Sequence, residues 1–288
     1  MAASATTEPS RLDRIMAEAR QRTQVKRSRN LVIALVFLAI VAVTYRATEF
    51  SIGDLLTRGY NMGRILAGFL HPDFSILGQS DSPFREGLIP HFILQTLAIA
   101  VLGTTIGSLV AIPISFLAAR NLMRRNPIGT AIYFVVRTVM SIVRAVPTLF
   151  WGILFVTAVA IGPFPGVLAI SLFTFGLMSK LFSEAIEAID WGQVEALTAT
   201  GANPLQVIVH GVVPQVTPYM IAHLLYTFEV NVHSATILGL VGAGGIGFLF
   251  GQYIQFFQYD KEATVLIVVI LMTMAIDYSS AAIRRRII

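Results

Sequence analysis

At 288 residues, with 55% hydrophobic and only 13% charged, the chain is too apolar for an ordinary soluble domain, in which about 25% of residues are charged. Its net charge of +5 is carried by the flanks of long apolar runs, which points to a lipid bilayer and away from a nucleic-acid partner. No cysteine is present, so disulfides, thiolate metal sites and cysteine nucleophiles are excluded together.

Residues 1–30 form a basic tail holding Arg11, Arg14, Arg20, Arg22, Lys26, Arg27 and Arg29. Leu12, Ile15, Met16 and Ala19 recur in it at helical spacing. Residues 10–24 therefore either lie as an amphipathic helix on the inner leaflet or form a solvated tail that only sets topology. The first apolar run, 31–48, is followed by no small-x-small cleavage pattern and reads as a retained anchor. A spanning helix needs roughly 20 apolar residues for a hydrocarbon core of about 30 Å. The runs that meet this are Leu31–Thr48, His91–Ala118, Thr130–Ile161, Gly166–Phe182, Val216–Leu240 and Ala263–Ile283. They are continuous, not alternating, which predicts helices and not barrel strands. The expected class is an all-α integral membrane protein with six transmembrane helices.

The segment 49–90, after the first run, is expected outside the cytoplasm, with the main transmembrane domain over 91–283 and a basic end over 284–288. Arg120, Arg124, Arg125, Arg284, Arg285 and Arg286 fall on the same side as the basic tail. The opposite side holds only Arg46, Arg58, Arg64, Arg85 and Lys261, despite its longer loop. The positive-inside rule then puts both termini in the cytoplasm, and an even number of spans agrees. Pro147 should kink or break the third run.

Gly242-Ala243-Gly244-Gly245-Ile246-Gly247 fits G-x-G-x-x-G letter for letter. A membrane helix precedes it where a dinucleotide site needs a strand, so the glycines are read as a tight turn with close helix contact. No G-x-x-x-x-G-K-[ST], H-E-x-x-H or G-x-S-x-G occurs, which leaves the chain without the usual ATP-binding, metalloprotease or esterase machinery.

The loop 183–214 is the longest polar insertion on the cytoplasmic side after the tail. Helix is predicted up to Thr200, then a turn at Gly201, then a second short helix opened by Asn203-Pro204. Such a hairpin has no core of its own for Ile208, Val209 and Val212, and so invites a partner. Its Glu195-Ala196, the glycine at 201 and the proline at 214 resemble the EAA loop of ATP-binding-cassette (ABC) importer permeases. Leu197 stands where that pattern has alanine, and Gly211 where an aliphatic residue is common. The resemblance implies a coupling helix that docks on an ATPase subunit through Glu195, Ala196, Gly201 and Pro214.

The stretches Phe228–His233, Thr236–Gly247, Phe116–Asn121 and Lys180–Glu187 resemble the phosphonate permease (PhnE) family, and the likeness covers roughly 90–284. His233 stands where family members often carry arginine. The resemblance implies a type I ABC importer permease for phosphonate, phosphite or phosphate in a prokaryotic inner membrane. It also implies an ATPase dimer, an extracytoplasmic substrate-binding protein and a second permease copy or related chain as partners. No cofactor is implied in this chain, since ATP and magnesium belong to the ATPase. A methionine-type importer, which shares the glycine run, is the alternative, and a membrane-embedded enzyme a more distant one.

An ionisable side chain in a span costs about 2.5–3.5 kcal/mol at the helix centre on insertion scales, so it usually faces a pathway or a partner. Arg137, Arg144 and Glu229 are such residues. Arg137 and Arg144 share one helix face, about 10.5 Å apart along the axis. Counted inward from the cytoplasmic ends, Arg144 and Glu229 fall at similar depth and are expected to pair, either in the pathway or as architecture. Asn231 and His233 complete the candidate pathway set.

Overall fold

The computed structural model describes residues 11–48, 51, 53, 57, 59–77, 88–124 and 126–287. The described residues are helical, joined by turns. Two compact units are distinguished, 1–63 and 64–288.

In the first unit, α1 (Arg11–Ala47) runs from the basic stretch into the apolar one without a break. No glycine or proline falls within it to interrupt the ladder. The tail from Arg11 onward and the first span are therefore one continuous helix. Its apolar residues from Leu31 to Val43 are exposed, Phe37 at 64%. The side chains over 10–24, on which the expected amphipathic face rests, and much of the segment 49–90 lie outside what the structure describes.

Helix α2 (Gly59–Leu70) leads into a 3-10 turn at Phe74–Leu77. This turn is built into the second unit. The Asp73 N–H donates to Asp260 O at 3.1 Å, and the Thr264 hydroxyl donates to Asp73 O at 2.9 Å. Ile76 is buried among Ile89, Val232 and Val265. Residues 64–77 thus belong with the main bundle, whose beginning lies earlier than the expected 91.

The bundle continues through α3 (Leu88–Ala118), α4 (Arg120–Met123), α5 (Pro127–Ala145), α6 (Thr148–Val159) and α7 (Pro163–Glu187). After a hairpin come α10 (Val213–Gly239), α11 (Ile246–Gln255) and α12 (Tyr259–Ile287). Six helices among the described residues are long and apolar enough to cross a membrane: Arg29–Ala47, Ile89–Ala118, Pro127–Ala145, Pro163–Glu187, Pro204–Gly239 and Tyr259–Arg286. Each corresponds to one apolar run.

The third run is broken, as Pro147 requires. Val146 is extended (φ −89°, ψ 119°), because a residue before proline is disfavoured in the α region. One carbonyl freed at the break, Val143 O, accepts from the Trp151 indole N–H at 3.4 Å.

Helix α7 is the axis of the bundle. Against it, Gly103 and Gly107 of α3 let two backbones approach closely. A Cβ at Gly103 would stand 2.5 Å from the Ile170 side chain, and one at Gly107 would stand 2.5 Å from Ser171 O. This is the small-x-x-x-small packing of membrane helices, in which no hydrophobic drive joins helices and close contact must do so.

The glycine run after α10 is a turn, as its context demanded. Gly242, Gly244 and Gly245 adopt φ of 91°, 77° and 76°, a region costly for side chains with a Cβ. The turn is clasped to α3, with the Gly245 N–H donating to Gln95 Oε1 at 2.7 Å and the Ile246 N–H to Thr96 Oγ1 at 2.8 Å.

Candidate functional site

Two regions carry the candidate residues: the hairpin between α7 and α10, and the charged groups of α5, α7 and α10. The hairpin is α8 (Trp191–Ala199), α9 (Pro204–Val207) and a π-helical turn at Ile208–Val212. Its ends are set by side-chain caps. Asp190 accepts from the Gly192 N–H at 2.9 Å, satisfying a free donor of the first turn. Asn203 and Gln206 form a reciprocal capping box, each bond 2.9 Å. Between the helices Gly201 turns at φ 84°, in open space. Gln215 joins the two roots of the hairpin: its Oε1 accepts from the Asp190 N–H at 3.0 Å and its Nε2 donates to Gly211 O at 2.7 Å.

The expectation that the hairpin lacks a core is corrected. Val194, Val212 and Val216 are buried with Ala119 and Ile186, and Phe116, Leu122 and Trp191 pack around them. Val212 therefore has an intramolecular seat, whereas Val209 (47% exposed) and Leu205 (70%) do not. The two departures from the EAA pattern also meet. A Cβ at Gly211 would lie 2.9 Å from Leu197 Cδ1, so the larger residue at 197 fills the space that the smaller one at 211 leaves. Glu195, Ala196, Gly201 and Pro214 are all exposed, on a surface free to meet another molecule.

The intramembrane charges pair differently from the expectation. Glu229 of α10 accepts from Arg284 of α12 at 3.0 Å, so the pair Arg144–Glu229 is not formed. The reason is direction: depth along an axis says nothing about which neighbour a helix face meets, and α12 stays helical far enough to bring Arg284 there. Arg137 is also committed. Its Nη2 lies 2.8 Å from Glu187 Oε1, and its Nε donates to Ala118 O at 3.2 Å. The same Glu187 oxygen accepts from the Arg120 N–H at 2.7 Å. Arg137 and Glu187 thus tie the start of α4 to the end of α7.

Asn231 is fully buried, and its Nδ2 donates to Thr104 and Thr174 at 2.7 Å each. It joins α3, α7 and α10 and faces no open surface. His233 is exposed, with Nδ1 3.0 Å from Glu229 O, one turn back.

Arg144 remains. Among the described residues its side chain has no hydrogen-bonding or ionic partner. With Arg137, Met140, Ser141, Gly176 and Lys180 it lines a cleft of about 90 Å³ between α5 and α7. Gly176 seats α5 there, since a Cβ would stand 3.2 Å from Val143 Cγ1 and 3.4 Å from Arg144 N. Lys180 lies 3.4 Å from Glu184, one turn further along α7. Glu184 in turn borders a larger cavity of about 550 Å³ at the hairpin root, lined also by Asp190, Gln215, Tyr219 and His223. Sequence reasoning missed Glu187, Arg284, Gln215 and Lys180. The first two and Lys180 were legible as ionisable groups near span ends, but only a fold gives them partners.

Residues 111–288 match the family described as the binding-protein-dependent transport system inner membrane component. The phosphite transport system permease protein PtxC of Stutzerimonas stutzeri is 35% identical over 253 residues, which cover 88% of this chain and 87% of that one. The phosphate-import permease protein PhnE of Mycolicibacterium smegmatis is 38% identical over 205 residues, 71% of this chain and 37% of its own length. Among solved structures, the inward-facing MetNI methionine ABC transporter is similar with a TM-score of 0.61 at 24% identity, over 70% of this chain and 96% of that chain. That likeness places the bundle among type I ABC importer permease folds.

Proposed function

Since the chain belongs to the inner-membrane components of binding-protein-dependent transport systems, we propose that it is the permease of an ATP-driven importer for phosphite, phosphate or a phosphonate. The observation that carries the substrate class is the cleft of α5 and α7. It holds three cationic side chains, of which Arg137 and Lys180 have carboxylate partners and Arg144 has none among the described residues, in a chain whose relatives bear the names of phosphite and phosphate permeases. An oxyanion entering a low-dielectric span must be partly neutralised or desolvation blocks it. A guanidinium that keeps its charge and offers paired donors suits that task.

In this reading two permease chains enclose the pathway, an extracytoplasmic binding protein delivers the anion, and the ATPase pair lies on the cytoplasmic side with both termini of this chain. The exposed Glu195, Ala196, Gly201, Leu205 and Val209 meet the ATPase, and Pro214 starts the helix that carries its movement into the membrane. ATP-driven closure then switches access by rigid-body movement of the helices.

The test is uptake of ³²P-phosphate, phosphite and methylphosphonate into cells lacking this gene, with and without the restored chain. Restoration of one of these and not of methionine is expected. Methionine uptake alone would overturn the substrate class while leaving the permease role.

A further inference from the structure

We infer that the α5–α7 cleft is a two-cation station for a phosphorus oxyanion, in which Arg144 is the fixed ligand, Lys180 the exchangeable one, and Glu184 the counter-ion that holds Lys180 while the station is empty. This inference rests on the importer reading above and assigns it a place in the fold.

The register of the two helices supports it. Arg137 meets Glu187, and seven residues further along α5 stands Arg144, while seven residues back along α7 stands Lys180. Because the helices run antiparallel, both steps move about 10.5 Å in the same direction. The backbone of Arg144 passes Gly176, one turn of α7 from Lys180, and both cations line the same cleft. The third cation of that cleft, Arg137, is already neutralised by Glu187.

The volume of about 90 Å³ is several times what one water needs and suits a small tetrahedral ion. Ser141 adds a hydroxyl at the same place, exposed, and bonded back to Arg137 O at 2.7 Å. An unpaired arginine in a spanning helix is costly to keep, and among the described residues nothing offsets Arg144.

Lys180 is held loosely. Its pair with Glu184 is an i,i+4 contact at 3.4 Å with side chains 40% and 50% exposed. Lysine preceding glutamate is the weaker order for such a pair on a helix. An arriving dianion competes for Lys180 on favourable terms, and its departure returns the lysine to Glu184. The shared chemistry, a phosphorus oxyanion group, belongs equally to a free ion and to an anionic lipid headgroup. The small cleft favours the free ion.

The absence of cysteine provides the assay. The permease carrying Ser141→Cys, assembled with its ATPase, is reconstituted in phosphatidylcholine vesicles. The rate of labelling by an anionic methanethiosulfonate reagent is then measured with and without millimolar inorganic phosphate or phosphite. Labelling is expected to slow at least threefold in the presence of the oxyanion. Adding Arg144→Gln or Lys180→Gln should remove the protection, Arg144→Lys should restore part of it, and Glu184→Gln should lower the half-protecting concentration. ATP hydrolysis by each assembled complex checks that the variants are folded. Protection by added phosphatidylglycerol with no effect of free oxyanion would overturn the free-ion station in favour of a lipid site. Wild-type uptake of a phosphorus oxyanion, measured in the same vesicles with the binding protein present, separates the two readings. Uptake without protection removes the station alone, and absence of uptake removes the importer reading beneath it.

Discussion

Leu197 and Gly211 provide the sharpest test of the hairpin's architecture. Each departs from the family pattern, and the structure makes them one compensating pair. Gly211→Val places a Cβ 2.9 Å from Leu197 Cδ1 and adds two methyl groups behind it. Overpacking of a filled site costs about 1–3 kcal/mol. Leu197→Ala removes a half-buried side chain. Full burial would put its cost at about 2–5 kcal/mol, and half burial at roughly 1–2 kcal/mol. If the two sites were independent, the double variant would lose the sum, about 2–5 kcal/mol. If they share one volume, the valine occupies what the leucine vacated and the double variant falls within about 1 kcal/mol of the parent. The measurement is the thermal midpoint of the purified permease for parent, singles and double, together with retention of the ATPase subunit on the permease. Additive losses in the double variant would refute the shared volume and leave Leu197 and Gly211 as unrelated substitutions.

Gly201→Val forces a β-branched residue into φ 84°, at a cost of about 1–2 kcal/mol. With open space around the position, membrane insertion should survive while substrate-stimulated ATP hydrolysis is lost, and full stimulation in a folded complex would contradict the coupling role. Glu229→Ala leaves Arg284 without its acid and should cost about 1–3 kcal/mol, less than a fully buried pair because the side chains are 33% and 23% exposed. Adding Arg284→Ala should recover part of the lost thermal stability, and no recovery would deny the pair. For topology, an impermeant thiol reagent applied to intact cells should label Ser75→Cys and not Ile128→Cys, both exposed positions. The reverse result would invert the orientation drawn from the basic residues.

The spans were legible because their signal is one-dimensional: length and apolarity are written along the chain, and each run contains one helix long enough to span. The break at Val146-Pro147 was legible for the same reason, since proline acts on its own helix. Pairing is a different kind of information. Arg144 and Glu229 were matched by depth, but each helix presents only one face to a given neighbour, and Glu229 turns to Arg284. Arg284 looked like a flanking charge that sets orientation, a role that conceals any pairing. Gly103 and Gly107 carried a readable spacing, but their partner on α7 could not be named from spacing alone. The compensation of Leu197 by Gly211 was invisible because the two lie on opposite arms of the hairpin.

The cleft and the hairpin are joined by one rigid helix. Gly176, Lys180, Glu184 and Glu187 follow each other along α7, and Asp190, which caps α8, lies three residues beyond its end. At that end Glu187 receives both Arg137 of α5 and the backbone N–H that starts α4. A sliding of α5 against α7 at the level of Arg144 therefore has two outcomes. Either the ion pair at Glu187 breaks, exposing a guanidinium and a carboxylate that are only about a third exposed now, or the hairpin root moves with it. Half-buried charge pairs resist separation more than surface ones, so the second path is the easier. On this argument Glu187→Gln, which keeps the hydrogen bonds and weakens the ionic tie, should loosen the link between oxyanion and ATPase. Basal ATP hydrolysis would be retained and its stimulation by substrate reduced several-fold, whereas an unchanged ratio would show that movement reaches the hairpin by another route.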